Sequence, residues 1–327
     1  MPFVRSLLSA GARRSGVALA ALSPAHARTV REVGRLLVLV AAVALLAIAL
    51  SGGGGDPGAL GASRRPGGSH TLIGPIAGAP AKPAAGGLYR VVGCRSRGDF
   101  VYRSGPARRE VAIGFDDGPD TDTPAFVRML ARSHAVATFF MIGRQVTPTY
   151  RETILRELRE GDVPGDHTFT HPDLTRSHDV RGELEETIAA IRAQSGYTPC
   201  VFRPPYGDVD ASVTRTARSL GLATVTWNVD PSDYEQPGVA AIEQRVLAQV
   251  QPGSIIISHD GGGPRGQTLA AYPKIIAALR RRGYGVVTIP QLLGFHPVYE
   301  PCIRRCDGIG VSHSQLPHGA ILQNAPS

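Results

Sequence analysis

Two adjacent carboxylates, Asp116-Asp117, and two histidines four positions apart, His167 and His171, are the residues of this chain best suited to chemistry. On a helical turn or a compact loop, imidazoles at that spacing point at one ion. A carboxylate from the aspartate pair then makes a set of two nitrogens and one oxygen. Three protein ligands leave an open position for water, the usual arrangement of catalytic zinc. Non-haem iron oxygenases use the same trio, usually with a His-x-Asp spacing that these four residues do not have. No Glu follows His167, so the motif is not the His-Glu-x-x-His of metalloproteases. Two aspartates side by side repel each other unless their roles differ, and a cation on one leaves the other available as a base. Each feature also has an ordinary reading. Asp-Asp-Gly-Pro is a common turn, Arg203 suits a surface salt bridge, Asp233 a helix cap, and His259 a strand end bonded to backbone.

These residues need elements that bring them together. From Glu110 onward short β-branched runs alternate with longer amphipathic segments. Strands are expected at 111–115, 137–142, 162–165, 200–203, 223–228, 254–258 and 285–289, most of them apolar enough to be buried on both faces. Helices are expected at 124–133, 149–160, 180–195, 211–220, 239–250 and 267–282, with Thr123 as an N-cap before Pro124 and glycines 161, 196, 221 and 283 at helix ends. Strict alternation implies parallel strands with helices outside, either closed into a barrel or open and doubly wound. No Gly-x-Gly-x-x-Gly follows the first strand, which removes the main support for a dinucleotide-binding sheet. The reactive residues follow the C-terminal ends of five expected strands and would meet at one barrel face, where active sites lie in such barrels.

Five segments then carry a resemblance: Phe115-Asp116-Asp117-Gly118-Pro119, His167-x3-His171-Pro172, Arg203-Pro204-Pro205-Tyr206-Gly207, Asp230-x2-Asp233, and Ile257-Ser258-His259-Asp260. In order and spacing they resemble the five motifs of the polysaccharide deacetylases, the NodB-homology or carbohydrate esterase family 4 domain, over about residues 105–295. The resemblance implies an α/β fold, a distorted (β/α) barrel of about seven parallel strands, and hydrolysis of acetyl groups from an N-acetylated glycan such as peptidoglycan or a chitin-like polymer. It implies a divalent metal, Zn2+ foremost, on Asp117, His167 and His171. By the same resemblance Asp116 would be the base, His259 the acid, Arg203 the partner orienting Asp116, and Asp233 the partner holding His259. A backbone N–H near Tyr206 would stabilise the oxyanion, while Tyr234 and Ile257 would wall the pocket for the acetyl methyl. Rival readings are an O-deacetylase such as an acetylxylan esterase, and a non-catalytic sugar-binding domain. Gly114 stands where Thr or Ser is more usual and Tyr234 where Trp is. Asp166, commonly Asn or Ser in relatives, would either join the surroundings of the metal or cap a turn.

The 327-residue chain has 35 basic and 27 acidic side chains, a net charge of +8. Six arginines and one acid fall within residues 1–35, so the remainder is near balance and gives little support to a broad nucleic-acid-binding face; no nucleic-acid partner is expected. That basic stretch runs into Leu36–Leu50, fifteen uncharged apolar residues, at the upper end of a signal h-region and just short of a spanning helix, so that length alone does not choose between an export signal and an anchor. The expected organisation is a basic segment with signal or anchor helix over 1–50, a Gly/Pro/Ala-rich linker over 51–93, the catalytic domain over 94–295, and a Cys-containing tail over 296–327. The protein would face the exterior, held in the membrane through its N-terminal helix or secreted after cleavage, as a monomer acting on an acetylated polysaccharide or oligosaccharide. Four cysteines, Cys94, Cys200, Cys302 and Cys306, suit an oxidising compartment and structural disulfides of open connectivity.

Overall fold

The structure, a computed structural model, describes residues 88–97, 101–302, 306 and 310–323. The basic segment, the apolar run Leu36–Leu50 and the linker up to residue 87 lie outside the described residues. Among the described residues no helix is long and apolar enough to cross a membrane.

The central strand β2 (Glu110–Gly118) is an unbroken buried run from Val111 to Asp116, as a parallel strand covered on both faces requires. It pairs in parallel with β3 (Thr138–Met141) on one side and β7 (Ile255–His259) on the other, and with β8 (Gly285–Val287) at its beginning. β4 (Val163–Asp166), β5 (Val201–Phe202) and β6 (Ala223–Thr224) continue the all-parallel sheet in the order β6-β5-β4-β3-β2-β7. Residues 102–104 and 225–229 bridge its outer strands: Tyr102 pairs with Val225, Ser104 with Ser254, and Val229 with Ile256. The result is a distorted (β/α) barrel of seven parallel strands. Pro164 and Gly165 make β4 a poor strand by propensity, but a Cβ at Gly165 would stand 2.6 Å from the Phe140 ring, so close approach of β4 to β3 needs glycine there.

Among the described residues six helices of nine residues or more cover the barrel: α1 (Thr123–Arg132), α2 (Arg151–Glu160), α3 (Val180–Ser195), α4 (Ala211–Ser219), α5 (Val239–Gln249) and α6 (Gly266–Arg281). Phe115 of β2 meets Phe126 of α1 and Tyr272 of α6 edge-on, with ring centroids 4.9 and 4.8 Å apart. Each such buried ring contributes about 1.5–3 kcal/mol relative to an exposed one. The side chains of Asp179 and Asp210 cap α3 and α4, and left-handed Gly161 and Gly196 end α2 and α3. Thr123 is not the N-cap expected of it. It is the first helical residue after Asp122, and its hydroxyl is turned to the Asp260 carboxylate and the Asp120 N–H.

A second sheet lies outside the expected organisation. β1 (Leu88–Arg95) pairs antiparallel with β9 (His296–Pro301) and β10 (Val311–Ser312), and β11 (Ile321–Leu322) adds to β9. Residues 88–93 are therefore strand rather than linker, and the described residues of the segment 296–327 include three strands. Disulfides join Cys94 to Cys200 and Cys302 to Cys306. The first ties β1 to the start of β5, where the Thr198 N–H also bonds the Val92 carbonyl at 2.9 Å.

Candidate active site

Successive side chains of a regular strand point to opposite faces, so Asp116 and Asp117 could not share a site in one. The β2–β3 register shifts between Asp116 and Gly118, and Asp117 takes a left-handed φ of 72°. This bulge turns the second carboxylate to the same side as the first. The Asp117 carbonyl accepts from Gln145 Nε2 at 2.6 Å, and neither Gly118 nor Gly261 has room for a side chain, against the Asp260 carboxylate and the Asp117 carbonyl respectively.

His167 and His171 lie on the loop after β4. Asp117 Oδ1 is buried without a hydrogen-bond partner, with His171 Nε2 at 3.3 Å and His167 Nε2 at 3.5 Å. Ligands 2.0–2.1 Å from a tetrahedral ion sit about 3.3 Å from one another, so these three atoms fit a zinc-like cation. They are the single group of this kind among the described residues. His167 Nδ1 lies 2.7 Å from the Arg203 carbonyl, which holds the proton on that nitrogen and leaves the Nε2 lone pair facing Asp117. Burial pushes the Asp117 carboxyl up, but the two imidazoles outweigh it and hold it well below the usual carboxylate range. Asp173 gives His171-Pro172-Asp173 a His-x-Asp spacing, yet its carboxylate is turned to Thr175 and Arg176, away from this group. Asp166 is fully buried and caps the turn: its Oδ1 accepts the Thr168 N–H at 2.8 Å, and burial raises its carboxyl well above the usual range.

On the other side of the site Asp116 and His259 are register partners across β2 and β7. Arg203 Nη1 donates to Asp116 Oδ1 at 2.7 Å, a contact made with both residues inaccessible to water. Its guanidinium lies 4.2 Å over the Phe140 ring. A Cβ at Gly114 would stand 2.5 Å from Arg203 Nη1, so the guanidinium fills the volume that the more usual Thr or Ser would occupy. His259 Nδ1 bonds Asp233 Oδ1 at 2.8 Å, while Asp233 Oδ2 accepts from the His259 N–H and the Thr268 hydroxyl. Burial pushes the imidazole down, but Asp233 and the charges of Asp116 and Asp117 overcome this and raise it above its ordinary value.

Asp116, Asp117, His167, His171, Tyr206, Tyr234, Ile257 and His259 all line one cavity of about 390 Å³. Arg203 and Asp233 stand behind it, 0% and 1% exposed. Tyr206 has φ 61° and Tyr234 flanks His259, and both rings are exposed at the rim. The motif reading gave no role to Trp227, Gln145 or Glu183. Trp227 lines the cavity and packs on Gly207, where a Cβ would approach its ring to 2.8 Å. As the one tryptophan in the chain, near the C-terminal end of the expected strand 223–228, it carried a signal. Gln145 and Glu183 carried none, because they act on backbone groups brought near only by folding.

The polysaccharide deacetylase family pattern matches residues 103–225. A chitooligosaccharide deacetylase of Sinorhizobium fredii is 40% identical over 205 residues, covering 58% of this chain and 95% of the relative. Among solved structures, the Bc1960 peptidoglycan N-acetylglucosamine deacetylase superposes with a TM-score of 0.57 at 32% identity, over 59% of this chain and 92% of its own. A pseudoenzyme of carbohydrate esterase family 4 from Bacillus anthracis superposes with a TM-score of 0.54 at 28% identity, over 59% and 68%. By sequence and by fold the chain belongs to the polysaccharide deacetylases, a family of hydrolases.

Proposed function

We propose that this enzyme removes N-acetyl groups from an extracytoplasmic N-acetylglucosamine polymer, peptidoglycan or chitin-like, releasing acetate. The observation that carries the reading is the pairing of Asp116 with His259 across one cavity, each held from behind by a buried partner of opposite charge. Asp117, His167 and His171 would hold a divalent cation, which supplies Lewis-acid polarisation of the acetyl carbonyl and a lowered water pKa. Arg203 occupies Asp116 Oδ1, so Oδ2 remains to take the proton of the attacking water. Asp233 occupies His259 Nδ1, so Nε2 is the nitrogen that gives its proton to the departing amine as the C–N bond breaks, and the Asp233 carboxylate favours the protonated imidazole that this step requires. Ile257, Tyr234 and Trp227 offer apolar wall for the acetyl methyl, and a backbone N–H near left-handed Tyr206 is suited to the oxyanion. Two disulfides and the apolar run Leu36–Leu50 support action outside the membrane.

The test is acetate release from chitooligosaccharides, peptidoglycan and acetylxylan, with and without chelator and zinc. Release from the N-acetylated glycans, abolished by chelator and restored by zinc, is expected. Release from acetylxylan alone would reassign the protein as an esterase, and undiminished release from metal-free protein would remove the cation from the reading.

A further inference from the structure

We infer that Glu183 is the positioning residue of the loop that carries His167 and His171, gripping its backbone from the first turn of α3. The inference rests on the reading of Asp117, His167 and His171 as metal ligands. That loop is difficult to hold. Thr168 and His171 both adopt left-handed φ, 68° and 67°, a conformation that costs a non-glycine residue about 1–3 kcal/mol and persists only where the surroundings impose it.

The backbone donors of the loop show what imposes it. The Thr168 N–H goes to Asp166, the His171 N–H to the Thr168 hydroxyl, and the His167 N–H to the Met141 carbonyl. Phe169 and Thr170, between the two strained positions, have no local acceptor. Their N–H groups converge on one oxygen of Glu183, at 2.8 and 2.7 Å, and the Thr170 hydroxyl donates to the other at 2.6 Å. An acid in the first turn of a helix is favourable with the macrodipole alone. That does not account for its aim, because Asp179 already caps α3 through the Gly182 N–H and all of these Glu183 side-chain contacts lie in the loop. The loop's other side is held as firmly, since its Thr168 and Phe169 carbonyls accept from the N–H groups of Gly143 and Arg144. A Cβ at Gly143 would meet the Phe169 ring and Thr187, one helical turn after Glu183. The grip therefore joins α3, the segment after β3, and the histidine loop.

Removing the carboxylate frees the two N–H groups and lets the strained loop relax, which swings His171 away from Asp117. Glutamine retains one oxygen able to take both N–H groups and an amide that can donate to the Thr170 hydroxyl. The experiment is cobalt(II) titration of the full chain for Glu183→Ala and Glu183→Gln, each alone and combined with His171→Ala. It is accompanied by amide hydrogen exchange at Phe169 and Thr170 in the metal-free proteins. Glu183→Ala is expected to weaken cobalt binding about 10–100-fold, in the range typical of residues that orient a metal ligand. Glu183→Gln should stay within about threefold of wild type. In the His171→Ala background the alanine should add little, because its effect passes through that imidazole. Exchange at both amides should rise in the alanine variant and not in the glutamine one. Wild-type cobalt affinity in Glu183→Ala, an undiminished loss in the His171→Ala background, or a glutamine as weak as the alanine would each overturn the inference. A wild-type chain that binds no cobalt would instead overturn the metal reading. The exchange arm then decides the grip alone, and unchanged exchange in Glu183→Ala would refute it.

Discussion

Asp116 and Asp117 are neighbours in sequence that line one cavity but have different charged partners. Asp116 is ion-paired to a buried guanidinium, while Asp117 offers a buried unpartnered oxygen to two imidazoles. Asp116→Asn is expected to keep cation binding and lower turnover about 10²–10⁴-fold, the usual loss on removal of a general base. Asp117→Asn should weaken cation binding, with activity partly recovered by excess metal, which does nothing for the 116 variant. Bound metal and acetate release measured on both variants check this, and wild-type turnover by Asp116→Asn would end the base assignment. The division of labour was legible in outline from the motif, since a dipeptide of like charges invites two roles. The bulge that lets both carboxylates face one cavity was not, because it shows only in the register of β2 against β3 and in the close approach of Asp260 to Gly118, both of which exist only after folding.

Elements were readable where periodicity is strong. Helix α3 lies where expected, and the other five begin and end within about two residues of their expected bounds, because alternation of buried and exposed positions is written locally. Strands β5 and β6 are shorter than their apolar runs, since only residues that find a neighbour in register count as strand. Nothing local announced that Glu157 of α2 would be buried with both carboxylate oxygens unpartnered, or that Asp162, just before β4, would be 1% exposed with only its Oδ1 bonded, to the Ala137 N–H. Burial pushes Asp162 up to about 8 and Glu157 well above its ordinary value, each raised further by a neighbouring carboxylate. Between the unfolded value of 3.8 and about 8 the unfolded chain has released the Asp162 proton and the folded chain has not. The unfolded state binds fewer protons there, so stability falls as pH rises through that window and levels off above it. Asp162→Asn keeps the acceptor for Ala137 and removes the titration. Its gain over wild type in denaturant unfolding should grow from near zero at pH 4 to about 1–3 kcal/mol at pH 8. An equal offset at both pH values would mean that Asp162 does not titrate in this window.

The whole molecule joins a barrel whose elements follow one another closely in sequence to a small sheet whose strands do not. β1 and β9 flank the entire barrel, so the pairing of Tyr89 with Pro301 and Cys94 with Pro297 leaves no periodic trace that a sequence reading can find, and the Gly/Ala/Pro-rich residues before β1 make it look like more linker. One tie of this pairing to the barrel, beside the backbone bond from Thr198 to Val92, is covalent. The Cys94–Cys200 bond has a sequence separation of 106, whereas Cys302–Cys306 has a separation of 4. In the chain-entropy account a cross-link stabilises by restricting the unfolded ensemble, by about 4–5 kcal/mol for a loop of roughly 100 residues and about 2 kcal/mol for a very short one. The longer bond also anchors packing, since the buried Tyr197 hydroxyl reaches Cys94 Sγ at 3.2 Å and Cys200 sits in the apolar cluster with Val201, Ala223 and Phe295. Replacing Cys94 and Cys200 together by alanine should therefore lower unfolding free energy by about 2–4 kcal/mol, and the same change at Cys302 and Cys306 by clearly less. The end of β2 and the loop after β4 that carry Asp117, His167 and His171 do not include β1. Cobalt affinity should consequently stay close to wild type in both double variants under conditions where they remain folded. Denaturant midpoints and cobalt titrations on the two double variants give the answer, and equal stability losses from the two would show that the long cross-link does not act through the unfolded chain.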